Sequence, residues 1–446
     1  MHLTKKTIVA LCAALGLSGC GELDVPDLDN PSLDAFRDNP TPSAVYSAAT
    51  GLVMGHRVGV AAQNGYVAEL GVIGREAFIF DGAEPRLVEE LLGPTLDPGG
   101  PVFGGNFWAA PYANIRNANT LLGALDKVAG MSDGQKAGIR GFAKTLQALD
   151  FLVVINTRDT NGAPIDVDRP LGSPLPPIEG KAVVLNHIAT LLDEGAAQLS
   201  LPGAAITFPV SSGFPSSPAG MLAFNRAVKA RVSVYQGNFA EALTALAQSF
   251  LNPAQPLESG VYHTFSTNSG DLDNNLISTN IFAHPSIVTD ADRKPDGSVD
   301  ARVERKIRKL SPEDAGSAAD GRLTSDLAFT MYSSGNSSVP IIRNEELILL
   351  RAEANIGLGN LDLAVNDINF IRTRSGDLAG RTDLNASNIL DELLKQKRYS
   401  LLFEGGHRWI DLRRYNRLDT LPRQLDPSFA PHERFPIPAS ETDARQ

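Results

Sequence analysis

Near the C-terminus the stretch YSLLFEGGHRWIDLRRY, Tyr399 to Tyr415, sets Glu404, His407, Asp411 and the arginines 408, 413 and 414 among Trp, Phe, Leu and Ile. Carboxylates, an imidazole and guanidiniums at this density are the parts of a general acid–base site or of a charged clamp. Catalysis needs a nucleophile beside its base, or a metal with its ligand set. His407 has no second His at ligand spacing, and neither H-E-x-x-H nor G-x-S-x-G occurs in the chain. The spacing suits a structural latch better. Arg408 and Asp411 lie three apart, as do Asp411 and Arg414, a ladder of ion pairs on one helical turn with Trp409 and Leu412 as its apolar part. Glu404, Arg408, Trp409, Asp411 and Arg414 are read as that latch, which buries paired charges and satisfies loop carbonyls.

Cysteine supplies a second kind of chemistry. The chain opens MHLTKKTIVALCAALGLSGC, with Lys5 and Lys6 ahead of a short apolar run, the layout of a secretory signal and too short for a permanent membrane span. Leu17-Ser18-Gly19-Cys20 resembles a bacterial lipobox, which predicts cleavage after residue 19 and a diacylglycerol on Cys20. The chain has two Cys, and Cys12 lies inside the segment to be removed. A secreted chain left with one thiol makes no internal disulfide, and lipidation gives that thiol a use.

Acidity narrows the partners. The formal net charge is −11, and cleavage would remove two lysines more. Such a surface is repelled by phosphate backbones, so nucleic acid is excluded as a partner. Asp271-Leu-Asp273-Asn-Asn275 starts like a calcium loop, but Leu276 stands where Gly is needed and no Glu closes it. No metal site and no cofactor are expected.

The elements that must position the latch are mostly helical. Residues 20–42 are rich in Asp, Pro and Asn and read as an extended spacer, and residues 43–446 read as a single domain. Helical periodicity begins at Ser43, and a Gly- and Pro-rich loop covers 81–105. Trp108, Tyr112, Ile115 and Asn119 share one helix face, and a second helix follows over 133–157. Two further helix pairs, 221–236 with 239–250 and 344–358 with 361–374, turn across Gly237-Asn238 and Gly359-Asn360. Small residues at the crossing and a Gly at the turn resemble the tetratricopeptide pattern. A helix over 385–403 leads into the latch. Long irregular stretches, 160–179, 202–218 and above all 252–338, carry enough aromatic residues to pack onto this scaffold.

Together these residues resemble the SusD/RagB family of outer-membrane nutrient-binding lipoproteins. The resemblance rests on the lipobox Cys20, the Trp108–Asn119 helix, the pair RNEELILLRAEANIGLGNLDLAVNDINFIRTRSG, the FEGGHRWIDLRRY latch and the terminal Arg434-Phe435-Pro436-Ile437-Pro438, in that order. It is most specific in the C-terminal third. Lys397-Arg398 and Ser400-Leu401 depart from the Glu-Arg and Glu-Leu common in the family before the latch. The resemblance implies a mostly α, tetratricopeptide-like scaffold with loops forming a ligand face. It also implies a non-enzymatic protein, anchored by lipid to the outer membrane and facing the exterior, that hands a nutrient to a TonB-dependent SusC-like transporter. An oligosaccharide is the expected cargo, with a peptide as the alternative. Glycan-binding members stack aromatic rings on sugar faces, which here selects Phe103, Asn106, Phe107 and Trp108, with Arg75 and Asp81 as polar partners. Aromatic residues make up only 7% of the chain, so a long starch-like glycan is a less secure cargo than a small oligosaccharide. Two rival readings stay open at this stage: a surface hydrolase built on two carboxylates distant in sequence, and a helical scaffold for a protein partner.

Overall fold

The computed structural model describes residues 33–99, 103–170 and 172–446; the lipobox and Cys20 lie outside the described residues. After α1 (Leu33–Asp38) come α2 (Pro42–His56) and α3 (Tyr66–Ile73). The single helical run expected from Ser43 is thus broken. Gly59 takes φ 73°, and a side chain on Gly65 would strike the Gly59 carbonyl at 2.4 Å. Strand β1 (Ala77–Ile79) and the short α4 (Arg86–Glu89) interrupt the loop expected over 81–105 and its approach.

The scaffold follows as α5 (Ala109–Leu125), α6 (Asp133–Arg158), α7 (Lys181–Leu199), α8 (Pro218–Gln236) and α9 (Phe239–Ala247), each packed on its neighbour in chain order. Their starts are written locally. Ser132 and Gln135 form a reciprocal capping box on α6, and Ser217 caps α8 ahead of Pro218 at its first turn. The last pair is α12 (Asn344–Gly357) and α13 (Leu361–Arg374). Both predicted hairpins turn alike. Gly237 and Gly359 are left-handed at φ 76° and 78°, and in each the following Asn donates its backbone N–H five residues back at 2.8 Å. The hairpins also touch: a side chain at Gly357 would overlap the Phe239 ring at 2.1 Å.

The stretch 252–338, expected to be irregular, instead holds most of the chain's short strands, paired in two-stranded antiparallel sheets. β2 (Gly260–His263) pairs with β8 (Val339–Arg343), and β3 (Ile281–Ala283) pairs back to β1, Phe78 opposite Phe282. β4 (Ile307–Lys309) pairs with β7 (Leu327–Phe329), and β5 (Gly316–Ser317) with β6 (Thr324–Ser325). Between them lie the short helices α10 (Ser286–Thr289) and α11 (Ala301–Lys306). The helix leading into the latch is α14 (Ile389–Ser400), shorter than 385–403 because Asn385 and Asn388 turn the entry on their own side chains. The latch helix is α15 (His407–Arg414), and α16 (Ala439–Asp443) ends the fold.

Three hydrophobic cores result, one among α2 and the α5–α9 scaffold, one joining α3, the loop strands and the latch, and one beneath α12–α14. Among the described residues no helix is long and apolar enough to cross a membrane.

Candidate ligand-binding site

A cleft of about 530 Å³ lies where the β4–β7 ribbon faces the loop before β3. The strand period builds one wall: Ile307 is buried and Arg308, next in line, is exposed. Phe329, opposite Ile307 in the ladder, and Phe282 supply apolar floor, while Ser278, Thr279, Thr330, Ser333 and Asp314 supply polar rim. The floor is braced by the latch. Phe329 stacks on Phe403 at 4.1 Å with the planes 5° apart, and the Tyr332 hydroxyl donates to the Phe403 carbonyl at 2.9 Å. Phe403 itself is left-handed at φ 57°, its ring so close to α3 that a side chain on Gly71 would meet it at 2.7 Å.

The latch is a hub of buried charge. Lys397 and Arg414 each bridge Glu353 and Asp411 at 2.7 to 2.9 Å, and the Tyr415 hydroxyl donates to Glu353 at 2.8 Å. Burial alone would raise the Glu353 carboxyl, yet Arg414 and Lys397 hold it down at about 2. Glu404 receives both forks of Arg343 at 2.8 and 2.9 Å and lies 3.2 Å from Lys306. Trp409 is fully buried and donates its indole N–H to the His432 carbonyl at 2.7 Å, with the Arg413 guanidinium over its ring. The ladder expected along the turn forms only on its second rung. Arg414 pairs with Asp411 at 2.9 Å, whereas Arg408 donates to the Arg75 carbonyl at 2.8 Å, because Lys397 arrives from α14 to take the other side of Asp411.

The residues selected for ligand contact separate into three places. Phe103, Phe107 and Trp108 are buried and gather around Phe435 and Arg158. Phe107 meets the Phe435 ring edge-on at 5.6 Å, and the Arg158 guanidinium lies over both Trp108 and Phe435. Arg75 is 2% exposed and donates to the carbonyls of Pro422 and Ile73 at 2.9 Å. Asp81 and Asn106 stay half-buried. Asp81 accepts from Gln63 at 2.5 Å, and Gln63 also engages Ser278 on the rim of the wide cleft and Asn280 at 3.1 Å. Asn106 donates to Glu69 at 3.0 Å and opens on a separate apolar cavity of about 310 Å³. Burial drives the Glu69 carboxyl well above its ordinary range, against the lowering effect of the Asn106 amide and of Arg158.

Arg308, Phe282 and Phe329 carry no local sequence signal of a site; they meet only through strand pairing. Asp271 and Asn274, from the calcium-like run, are used structurally. Asp271 pairs with Arg57, and Asn274 accepts the Leu276 N–H at 2.9 Å. Among the described residues no group of three His, Cys, Asp or Glu is placed to hold a metal ion. A small internal cavity of about 70 Å³ between His56, His263 and His407 is below the size of a sugar site.

The family model described as "SusD family" matches residues 322–444, the segment from β6 through the latch to α16. No curated protein sequence matches the chain. Solved structures match nearly all of it in fold. A SusD superfamily protein from Bacteroides vulgatus ATCC 8482 is similar with a TM-score of 0.68 at 16% identity, covering 90% of this chain and 96% of its own. Another from Bacteroides thetaiotaomicron VPI-5482 also scores 0.68 at 16% identity, covering 91% and 98%. A SusD-like carbohydrate binding protein from Bacteroides fragilis NCTC 9343 scores 0.66 at 16% identity, covering 92% and 99%. The C-terminal region thus matches the SusD family model, and the fold of the whole chain is similar to that of SusD superfamily structures.

Proposed function

We propose that this protein captures an oligosaccharide on its loop face and passes it, uncleaved, to a TonB-dependent SusC-like transporter, held at the outer membrane by lipid on Cys20 and facing the exterior. The observation that carries the reading is the lining of the 530 Å³ cleft: aromatic Phe282 and Phe329 beside an exposed guanidinium, one carboxylate and the hydroxyls of four serine and threonine side chains. A sugar offers apolar C–H faces and a rim of hydroxyls, which this mixture complements. Asp314 is the one carboxylate among the lining residues, whereas glycoside cleavage uses two facing carboxyls. In this reading Asp81 steadies the rim through Gln63 and Ser278, while Asn106, on its separate cavity, braces the turn at 61–64 by donating to the Asn64 carbonyl at 3.1 Å. Arg75, Phe103, Phe107 and Trp108 act from behind, as the packing that holds these walls. A relative in fold is a carbohydrate-binding protein, which supports the same class of ligand.

The tagged protein with Cys20 intact, recovered from detergent-solubilised outer membranes, is expected to bring a large plugged barrel with it. Calorimetry against a panel of neutral oligosaccharides is expected to find a binder whose affinity drops at least tenfold in the double variant Arg308→Ala, Phe329→Ala. Recovery of the protein alone, together with turnover of a polysaccharide by the purified chain, would replace binding with hydrolysis.

A further inference from the structure

Buried cations in this chain are almost all met by carboxylates. Arg231 faces Glu346, Arg302 faces Asp300, Arg343 faces Glu404, and Lys397 and Arg414 share Glu353. Arg158 and Arg75 lack one: Arg158 is satisfied instead by the Gly104 and Asn106 carbonyls and two aromatic faces, and Arg75 by the Pro422 and Ile73 carbonyls. Arg408 has neither arrangement. One amino group donates to the Arg75 carbonyl, and among the described residues no carboxylate lies within ion-pair distance of it. Among the described residues its other nitrogens make no hydrogen bond, and the residue is only partly buried. They face a cleft of about 270 Å³ between α14 and α15, lined also by Arg398, Lys395, Asp290, Leu394 and Leu412.

The carboxylates near this cleft are spoken for. Asp411 is turned to Lys397 and Arg414. Asp290 takes one amino group of Arg398 at 2.9 Å, and Ser286 takes the other at 2.7 Å. Lys395 reaches Asp292. Glu76, whose charge Arg408 feels, is pushed up to about 7 by burial and supplies an incomplete counter-charge at neutral pH. Burial and the neighbouring Arg398 pull Arg408 down to about 9, the cost of two guanidiniums sharing one small space. A local excess of positive charge in a protein of net −11 focuses its field through the cleft mouth.

We infer that this cleft is an oxyanion site, in which Arg408 gives its free donors and Arg398 the second charge to the carboxylate group of an acidic sugar or an acidic peptide. Planar guanidiniums match a carboxylate's two oxygens, and the apolar flanks Leu394 and Leu412 suit the carbon skeleton behind it. The site is separate from the loop cleft and stands whether or not a neutral glycan fills that one.

The test is calorimetry on the purified full-length protein at low salt with three probes, glucuronate, N-acetylglutamate and glucose. At least one of the two carboxylates is expected to bind tenfold or more tightly than glucose, and the tighter of the two names the source. Arg408→Gln should abolish that preference. Asp290 is half exposed, 49% at its side chain, so Asp290→Asn leaves the fold intact and removes the competing carboxylate from Arg398. It should raise carboxylate affinity several-fold, a gain that misfolding cannot imitate. Equal binding of all three probes, or no gain in Asp290→Asn, would overturn the assignment.

Discussion

Glu353 has no route to water: its side chain is fully enclosed, and Lys397, Arg414 and Tyr415 all point their donors at it. Replacing it with glutamine keeps the shape and removes the charge, leaving two buried cations to share Asp411. Breaking a buried ion pair from one side typically costs about 3–5 kcal/mol, because the surviving charge has lost both its partner and its water. Glu353→Gln is therefore expected to lower the unfolding free energy read from urea titration by that order, and a change under about 1 kcal/mol would mean that water reaches the hub. The same hub shows why residue spacing alone misled. Arg408 and Asp411 are correctly placed for an ion pair on one turn, but Lys397, remote in sequence, wins Asp411. A partner on another helix leaves no trace in the local spacing.

At the scale of elements, Gly406 is where the latch is most exposed to a single change. It starts α15 at φ 75°, and an added Cβ would meet Leu70 of α3 at 2.4 Å. Gly406→Ala combines backbone strain with a clash against a buried leucine, each worth on the order of 1–3 kcal/mol. Gly123 in α5 is the matched control: exposed, helical, with nothing within 4 Å of an added Cβ. Gly123→Ala is expected to stabilise by roughly 0.5–1 kcal/mol. Thermal unfolding should move the two variants in opposite directions, and a shared direction would refute the account of the latch turn. Helices of this kind were legible in the chain because Gly-Asn turns, small residues and apolar periodicity all sit within a few neighbours of one another. The strands were not, since β1, β3, β4 and β7 span three residues each, too few for alternation to show. Their pairing joins Ala77 to Ala283 and Ile307 to Phe329, distances in sequence at which no local signal survives. The 530 Å³ cleft inherits that silence, because Arg308 and Phe329 become neighbours only after the β4–β7 ribbon closes.

Across the whole molecule, buried titratable groups set how the fold answers acid. Burial pulls His284 and His407 down to about 3, so each is neutral in the native state and takes up a proton readily only after unfolding. The unfolded chain therefore binds more protons than the native one below about pH 6.5, and stability from these two groups is present above that pH and lost progressively toward 3. Glu345 and Glu353, held at about 2 by Arg343 and by Arg414 with Lys397 against the opposing effect of burial, add to the loss once the pH falls below their ordinary value of 4.5. Glu76 works the other way. Raised to about 7 by burial, it is fully favourable below 4.5 and loses that contribution as the pH rises through 7. Each tenfold difference in proton affinity is about 1.4 kcal/mol, and His263, which burial also pulls well below its ordinary range, joins His284 and His407, so that three histidines outnumber the raised Glu69 and Glu76 between pH 7 and 5. Urea midpoints should fall steadily over that interval and more steeply below 4.5, and His407→Gln should flatten the first part of the slope. A midpoint that held level or rose from pH 7 to 5 would mean that Glu76 outweighs the histidines, or that water enters the cavity beside His407 and lets it protonate in place.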